Sequence, residues 1–411
     1  MVASDITDIH EPTRRRLIGT LFTGNAIGST AYIGVATVGT LIAADITGTT
    51  ALAGLPSTTA TLGVAGGAAV LSWASSRWGR RPAFSAGYTV AVVGSLLVIT
   101  SIFTSNFLLL LAGMAAVGLG RSGSELARYA AGDLRTEDQR ARAISLIVWA
   151  STIGAVVGPL MIGPTSVLAV TAGANELVGP VAMAAGGFAL VAGLMIVALR
   201  PDPMSLIVAD DARFTPGPSR SIPDLLSSPT VRLSIAAIVM SQVVMVLVMV
   251  MTPVHIKANG GTLAIVGWVM MAHTLGMFAI APITGLLVGR LGPRRMIIAS
   301  VATFIGACVM AATAVTAATP VLLVSLFLLG VGWNFGYVAG STLLQAGLPI
   351  ADRLTLQGFT DSSAWLSSAV AAAASGVIVS QTSFTSLAVI GAVLALVPLL
   401  VALPTYRVRT A

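Results

Sequence analysis

Apolar runs of twenty or more residues recur along the whole chain, and no other feature restricts its fold as much. Each run is about long enough to cross the ~30 Å hydrocarbon core of a bilayer as an α-helix. Composition agrees: 9% of the residues are charged, against roughly 25% in a water-soluble domain. The 43 glycines suit helices that pack closely in lipid. The chain reads as an all-α polytopic membrane protein whose first partner is the lipid bilayer.

Twelve spans fit, near 17–43, 51–76, 82–104, 107–131, 142–168, 178–199, 231–256, 262–288, 295–317, 320–347, 355–380 and 383–404. One long polar stretch, RPDPMSLIVADDARFTPGPSRSIPDLLSSPT, divides six from six. The expected organisation is a six-helix bundle over 1–199, a linker over 200–230 and a second six-helix bundle over 231–411. With both termini on one side, that side receives Arg14 to Arg16, Arg77, Arg80, Arg81, Arg135, Arg140, Arg142, Arg290, Arg294, Arg295, Arg353, Arg407 and Arg409. The other side receives only Lys257. By the positive-inside rule both termini are expected in the cytoplasm, the membrane being the inner membrane of a bacterium.

That asymmetry accounts for the net charge of +7 without nucleic acid. A single cysteine, Cys308, excludes an intramolecular disulfide and a cysteine-rich metal cage. The first sixteen residues are polar, so no cleavable signal peptide is expected. No G-x-x-x-x-G-K loop and no catalytic triad can be assembled, which argues against an enzyme and against a required cofactor. Energy would then come from an ion gradient, a proton gradient being one option, or from the substrate's own. A monomer is expected.

The halves echo one another. SSRWGRR follows the second span and VGRLGPRR the eighth, with Arg77 answering Arg290 and Gly79 answering Gly292. GLGR (Gly118 to Arg121) in span four answers GVGW (Gly330 to Trp333) in span ten. Paired repeats of this kind are a transporter architecture. Arg77, Gly79, Arg80, Arg81, Arg290, Gly292 and Arg294 are expected to form the cytoplasmic gate.

On these motifs the chain resembles the major facilitator superfamily over nearly its whole length. The resemblance implies two six-helix halves, alternating access and a loop after span two similar to G-x-L-x-D-R-x-G-R-R. Here Ser72 and Ser76 stand where glycine and aspartate are usual, and the second copy has Gly289 at the aspartate position. The lock that this aspartate provides should therefore be weaker or differently built. DLRTEDQRARA resembles the family's second cytoplasmic motif through Asp133, Arg140 and Arg142. Gly154, Gly158 and Pro159 resemble its G-x-x-x-G-P element, whose physical role would be close packing and a bend.

Ionisable residues within spans are costly and are functional candidates by default. In span four, Arg121, Glu125 and Arg128 share one helix face. An ion network stabilising one conformation and an anion-attracting gate are both open readings. Asp361, with no basic neighbour in sequence, is the first candidate for proton coupling. Asn25 and Ser29 in span one, and Asn334 and Tyr337 in span ten, are candidates to line a cavity.

Seven of the fifteen methionines fall between Met240 and Met277, together with two of the three histidines. Met245 and Met249 share a face of span seven, and His273 and Met277 a face of span eight. A hairpin turning near residue 259 would set Met245 level with His273 and Met249 level with Met270. Thioether and imidazole suit monovalent copper. Met251 and His255 would form an outer capture pair. This pattern resembles the CcoA-like copper importers, which carry M-x-x-x-M and H-x-x-x-M in these spans. Methionine is equally ordinary helix filler. Two functions follow: copper(I) uptake as substrate, or proton-coupled efflux of amphipathic organic solutes by a multidrug-type exporter.

Overall fold

The apolar runs fold into helices, the one local structure that lets a span satisfy its backbone within itself. A computed structural model describes residues 11–135, 137–206, 220–314, 319–345, 348 and 350–407, and no strand occurs among them. The chain divides into two compact units, residues 1–48 with 59–214 and residues 49–58 with 215–411. The segment leading into α2, with the first turn of that helix, belongs with the second unit.

The first unit contains α1 (Glu11–Thr47), most of α2 (Leu55–Trp78), α3 (Arg80–Thr104), α4 (Phe107–Asp133), α5 (Glu137–Leu160), α6 (Ile162–Thr171) and α7 (Val178–Ala198). The second contains α8 (Ile222–Leu226), α9 (Pro229–Ala258), α10 (Leu263–Phe278), α11 (Ala281–Leu291), α12 (Pro293–Thr313), α13 (Thr319–Gln345), α14 (Ile350–Gln381), α15 (Phe384–Leu394) and α16 (Val397–Arg407). Among the described residues ten helical segments are long and apolar enough to cross a membrane, α10 with α11 counting as one. An eleventh is the bent pair Trp149–Leu160 and Ile162–Thr171. Of the twelve expected spans, α2 is the one outside this set. It has 24 residues, ~36 Å at 1.5 Å per residue, and is diluted by Ser57, Thr58, Thr59, Thr61 and its glycines.

Proline explains the bend in span five and the break in span eight. Pro159 precedes the 41° bend between the two halves of span five. Pro282 lacks the N–H that the carbonyl of Phe278 would need, and the helix is interrupted at Ala279 and Ile280.

Glycine sets how near the helices approach. A Cβ on Gly63 or Gly118 would collide with the carbonyl oxygens of Ala115 and Ala60, so α2 and α4 touch backbone to backbone. Gly94 and Gly113 do the same for α3 and α4. Gly154 and Gly158 of α5 lie against the α1 backbone at Thr30, and this is the packing work of G-x-x-x-G-P. In the second unit Gly276 meets the Phe327 carbonyl and Gly330 the His273 carbonyl, joining α10 to α13. GLGR and GVGW thus make the same kind of contact in each unit.

The repeated arginine loops also share a turn. Gly79 has φ 95° and ψ 165°, and Gly292 has φ 84° and ψ 152°, a region open essentially only to glycine. Each unit further clasps the segment entering its first long helix to the connection between its fourth and fifth. In the first unit Arg135 Nη1 donates to both carboxylate oxygens of Glu11, at 3.0 and 3.1 Å. In the second the charges are exchanged: the Arg220 backbone N–H and Nε donate to the two oxygens of Asp352, both at 2.9 Å.

Two predictions follow from these loops. Gly292→Ala meets no atom within 4 Å, so backbone strain alone should destabilise the protein by about 1–3 kcal/mol. Gly289→Ala, equally open but helical, should be neutral or stabilising, up to about 1 kcal/mol. Thermal unfolding in detergent reads the contrast, and a harmless Gly292→Ala would refute the strain. The second concerns acid. The hydrogen bond from the Arg220 backbone N–H, then its guanidinium, holds the Asp352 carboxyl below its usual range against the opposing effect of burial. A depressed carboxyl stabilises the clasp fully above its unfolded value of ~3.9 and loses it as pH falls through the lower folded value. Amide exchange at Arg220, corrected for intrinsic rate, should be slow at neutral pH and accelerate only below about pH 4. In Asp352→Asn it should be fast throughout.

Candidate functional site

Most hydroxyl groups in the spans bond back to their own helix, as Thr30 does to Ala26 O (2.9 Å) and Thr252 to Val248 O (2.9 Å). Fewer side chains reach another helix; some only fasten helices, as Ser122 does to Val64 O (2.8 Å) and Ser325 to Ala307 O (2.8 Å), and others gather into clusters. In the first unit they centre on Arg121. Its Nη1 donates to Ser29 Oγ at 2.7 Å and its Nη2 pairs with Glu125 Oε1 at 3.1 Å. The guanidinium also lies 5.4 Å from the centre of the Tyr32 ring. Arg128 Nη1 is 3.6 Å from the other Glu125 oxygen. The helical spacing does bring the three charges together, and their side chains remain 17%, 32% and 37% exposed in chain order. The set carries one net positive charge.

Behind it the polar groups are sealed. Asn25 is 2% exposed, and its Nδ2 donates to Ile147 O (2.6 Å) and Ser151 Oγ (2.9 Å). Its Oδ1 is buried with no partner among the described residues. Ser29 is fully buried, with its Oγ 3.5 Å from that of Ser151. Tyr88 shares a 2.9 Å hydrogen bond with Ser124. Asn25 and Ser29 hold α1, α4 and α5 together and position Arg121.

In the second unit the corresponding position is aromatic. Trp333 stacks on Tyr337, one turn on, at 4.9 Å and 15°, and Phe278 meets Trp333 edge-on at 5.9 Å and 66°. Trp333 Nε1 donates to Gln242 Oε1 at 2.6 Å. All four residues are half-buried. Asn334 is buried: its Nδ2 donates to Met277 O (2.6 Å) and its Oδ1 accepts from Thr284, so it ties the two pieces of the broken span to α13. Sequence reading singled out Tyr337 and Asn334 but missed Phe278 and Gln242. Trp333 was visible in it as the counterpart of Arg121 in the GLGR and GVGW repeat.

The methionines and histidines are placed otherwise than a simple hairpin predicts. The turn does fall at Asn259 to Thr262, but α9 and α10 each lie along α13 and touch one another only slightly. Side-by-side packing was the basis for setting Met245 level with His273 and Met249 level with Met270. Met245, Met251 and Met270 are buried, and Met249 and Met277 half-buried. His273 is fully buried and faces α13, with Nδ1 2.9 Å from Leu326 O. A carbonyl only accepts, so Nδ1 carries the proton and Nε2 is a lone pair, without a partner among the described residues. His255 is held at both nitrogens, Nε2 by Ala314 O (3.0 Å) and Nδ1 by Asn259 Nδ2 (3.4 Å), and it stacks on Phe384 at 4.2 Å. Its ring is therefore committed to packing rather than open beside Met251. Among the described residues no three His, Cys, Asp or Glu side chains gather as a metal set.

Asp361 lies about three turns into α14, on an exposed face of that helix. In the arginine loop, Arg77, Arg290 and Arg294 are exposed, and Arg80 and Arg81 half-buried. The side chains of Ser76, Asp133, Arg140, Arg142, Arg353 and Arg407 lie outside the described residues, as does Arg409. A carboxylate does reach this loop, from Asp202. Its two oxygens accept from the N–H groups of Arg80 (3.1 Å) and Arg81 (2.9 Å), capping the N-terminus of α3.

Known proteins agree with this fold. The family model described as Major Facilitator Superfamily matches residues 20–262 and 233–410. Over 364 residues, 88% of this chain and 85% of the relative, the chain is 35% identical to the "Uncharacterized MFS-type transporter YdeG" of Bacillus subtilis (strain 168). It is 28% identical over 355 residues to the riboflavin transporter RfnT of Brucella anthropi, covering 84% of this chain and 85% of that one. Among solved structures, a bacterial homologue of the iron transporter ferroportin in an inward-facing state superposes with TM-score 0.71 at 14% identity, covering 95% and 98% of the two chains. An auto-inhibited POT family peptide transporter gives TM-score 0.71 at 12% identity, covering 95% and 97%. At such identity these structures speak for the fold alone.

Proposed function

The chain belongs to the major facilitator superfamily of transporters, and from that premise we propose that it is a secondary active transporter of a small organic solute. It works by alternating access and draws on an ion gradient, with both termini in the cytoplasm of a bacterium. The arginine asymmetry of the loops supports that orientation. The observation that carries the reading is the Arg121–Glu125–Arg128 triad, held partly open within a span. A charge at this depth is costly, and one kept there serves transport. Glu125 is the internal counter-ion of two arginines, so an anionic group of the solute can compete with it for them. Asp361, on an exposed face of α14, is a proton-coupling candidate.

Riboflavin is the first solute to test, because a relative of similar length carries that name. Copper(I) uptake stands as a second reading, favoured by one observation. The buried Nε2 lone pair of His273 is a ligand with no buried negative charge, as a soft monovalent ion would need. Neighbouring thioethers would have to complete the set.

Proteoliposomes holding the purified protein should take up riboflavin when an inward proton gradient is imposed, and lose that uptake with a protonophore. Glu125→Gln leaves two arginines without their counter-ion and should reduce uptake about tenfold or more at equal protein content. Uptake unaffected by Glu125→Gln would remove the triad from the mechanism. Stoichiometric copper(I) binding in chelator competition, lost in His273→Ala, would move the assignment to the metal.

A further inference from the structure

The aromatic group of the second unit has a chemistry that the triad lacks. We propose that Phe278, Trp333 and Tyr337, with Gln242, form a binding platform for a flat, neutral heteroaromatic ring that carries carbonyl oxygens on its edge. The proposal rests on the reading of the chain as a transporter of organic solutes, and it names the solute class for one of its units.

Three observations support it. First, Trp333 and Tyr337 stack face to face at 4.9 Å and 15°, so a further flat ring can extend the stack on an outer face. Both are half-buried, and Tyr337 is at the same time packed against a buried apolar cluster that includes Ile238 and Leu344. Stacking on such a face suits any planar π-system and does not require charge.

Second, the orientation of the Gln242 amide is determined. An indole N–H can only donate, so the atom 2.6 Å from Trp333 Nε1 must be the carbonyl oxygen of Gln242. The amide NH2 is thereby left as a pair of donors, with no hydrogen bond occupying it among the described residues. Donors call for acceptors on the ligand, and ring carbonyls supply them in plane with a stacked heterocycle. Among the described residues no charged side chain pairs with Phe278, Trp333 or Gln242, which favours a neutral ring over an ionised one.

Third, the platform is rigid. Asn334, next to Trp333, is anchored to Met277 O at 2.6 Å, and Met277 precedes Phe278. The Gly276 and Gly330 contacts lock α10 to α13 just before both aromatic positions. Groups held in this way lose little freedom when a ligand binds. The internal repeat adds context, for Trp333 occupies in GVGW the place that Arg121 occupies in GLGR.

The test uses the full chain in nanodiscs and riboflavin as the probe, followed by quenching of flavin fluorescence. Two competitors separate the parts of the probe: lumichrome is the ring without the polyol, and ribitol the polyol without the ring. Lumichrome should displace riboflavin and ribitol should not. Trp333→Ala should weaken binding by about tenfold or more, and Trp333→Phe, which keeps a flat ring, by about threefold or less. Trp268→Ala, at an exposed position of α10, should bind as wild type does. Displacement by ribitol alone, or equal binding by Trp333→Ala, would overturn the platform. So would wild-type protein that binds no riboflavin. The competitor experiment needs no variant, so it decides the matter even if Trp333→Ala fails to fold. Failure of the transport reading looks different: riboflavin would bind with the predicted ring preference, yet none would cross the proteoliposome membrane.

Discussion

Helix backbones in this protein meet at glycine, and the placement of Arg121 and Trp333 depends on those meetings. In lipid no hydrophobic effect drives helices together, so packing must come from close van der Waals contact between backbones. Gly63, Gly118, Gly276 and Gly330 each bring a neighbouring carbonyl oxygen to where a Cβ would stand. Once such a contact forms, the rotation of both helices is set. Arg121 follows Gly118 by less than one turn, and Trp333 follows Gly330 at the same spacing. The glycine pair therefore turns one side chain in each unit toward a partly open face.

Polar groups obey the same constraint. A buried hydroxyl or amide must find a partner where water is absent, and most of those in the spans use the preceding turn of their own helix. The exceptions are informative because a hydrogen bond between helices fixes two elements at once. Asn25 joins α1 to α5, Arg121 joins α4 to α1, Gln242 and Trp333 join α9 to α13, and Asn334 holds a broken span to α13. Structural and functional roles are mixed in these residues. Burial separates them: Asn25 and Asn334 are 2% exposed and act as anchors, whereas the Arg121 triad and the aromatic platform stay partly open.

Much of this was legible in the sequence, and what was not legible shares one cause. Span positions, the repeat, the arginine loops and the Arg121–Glu125–Arg128 face all depend on neighbours along one helix, where 3.6 residues per turn decides what lies together. The soft-metal hairpin depended on which helices are adjacent in a bundle, and sequence order does not decide that. Because α9 and α10 pack along α13 and not along each other, a level comparison across their loop says nothing about contact. The same gap hid Gln242, whose partner Trp333 is on another helix, and Asp202, which caps α3 from what composition marks as linker. His255 packs against groups that no local pattern indicates. Its neighbours Ala314 and Phe384 come from α12's end and α15, far away in sequence.

The two units also show which parts of a repeat are free to differ. Gly79 and Gly292 adopt one turn whose φ strains any residue with a Cβ, so glycine is kept at that position. The clasps differ more: the same two segments are tied in both units, by Glu11 with Arg135 in one and by Arg220 with Asp352 in the other. An ion pair works with either polarity, so geometry is kept while charge is exchanged. At Arg121 and Trp333 even the chemistry changes, from a cation to an indole. The glycine contact restricts the backbone beneath these positions but not the side chain beyond it. A transporter built from such repeats can alter what each unit recognises at this one position without disturbing the packing that holds it.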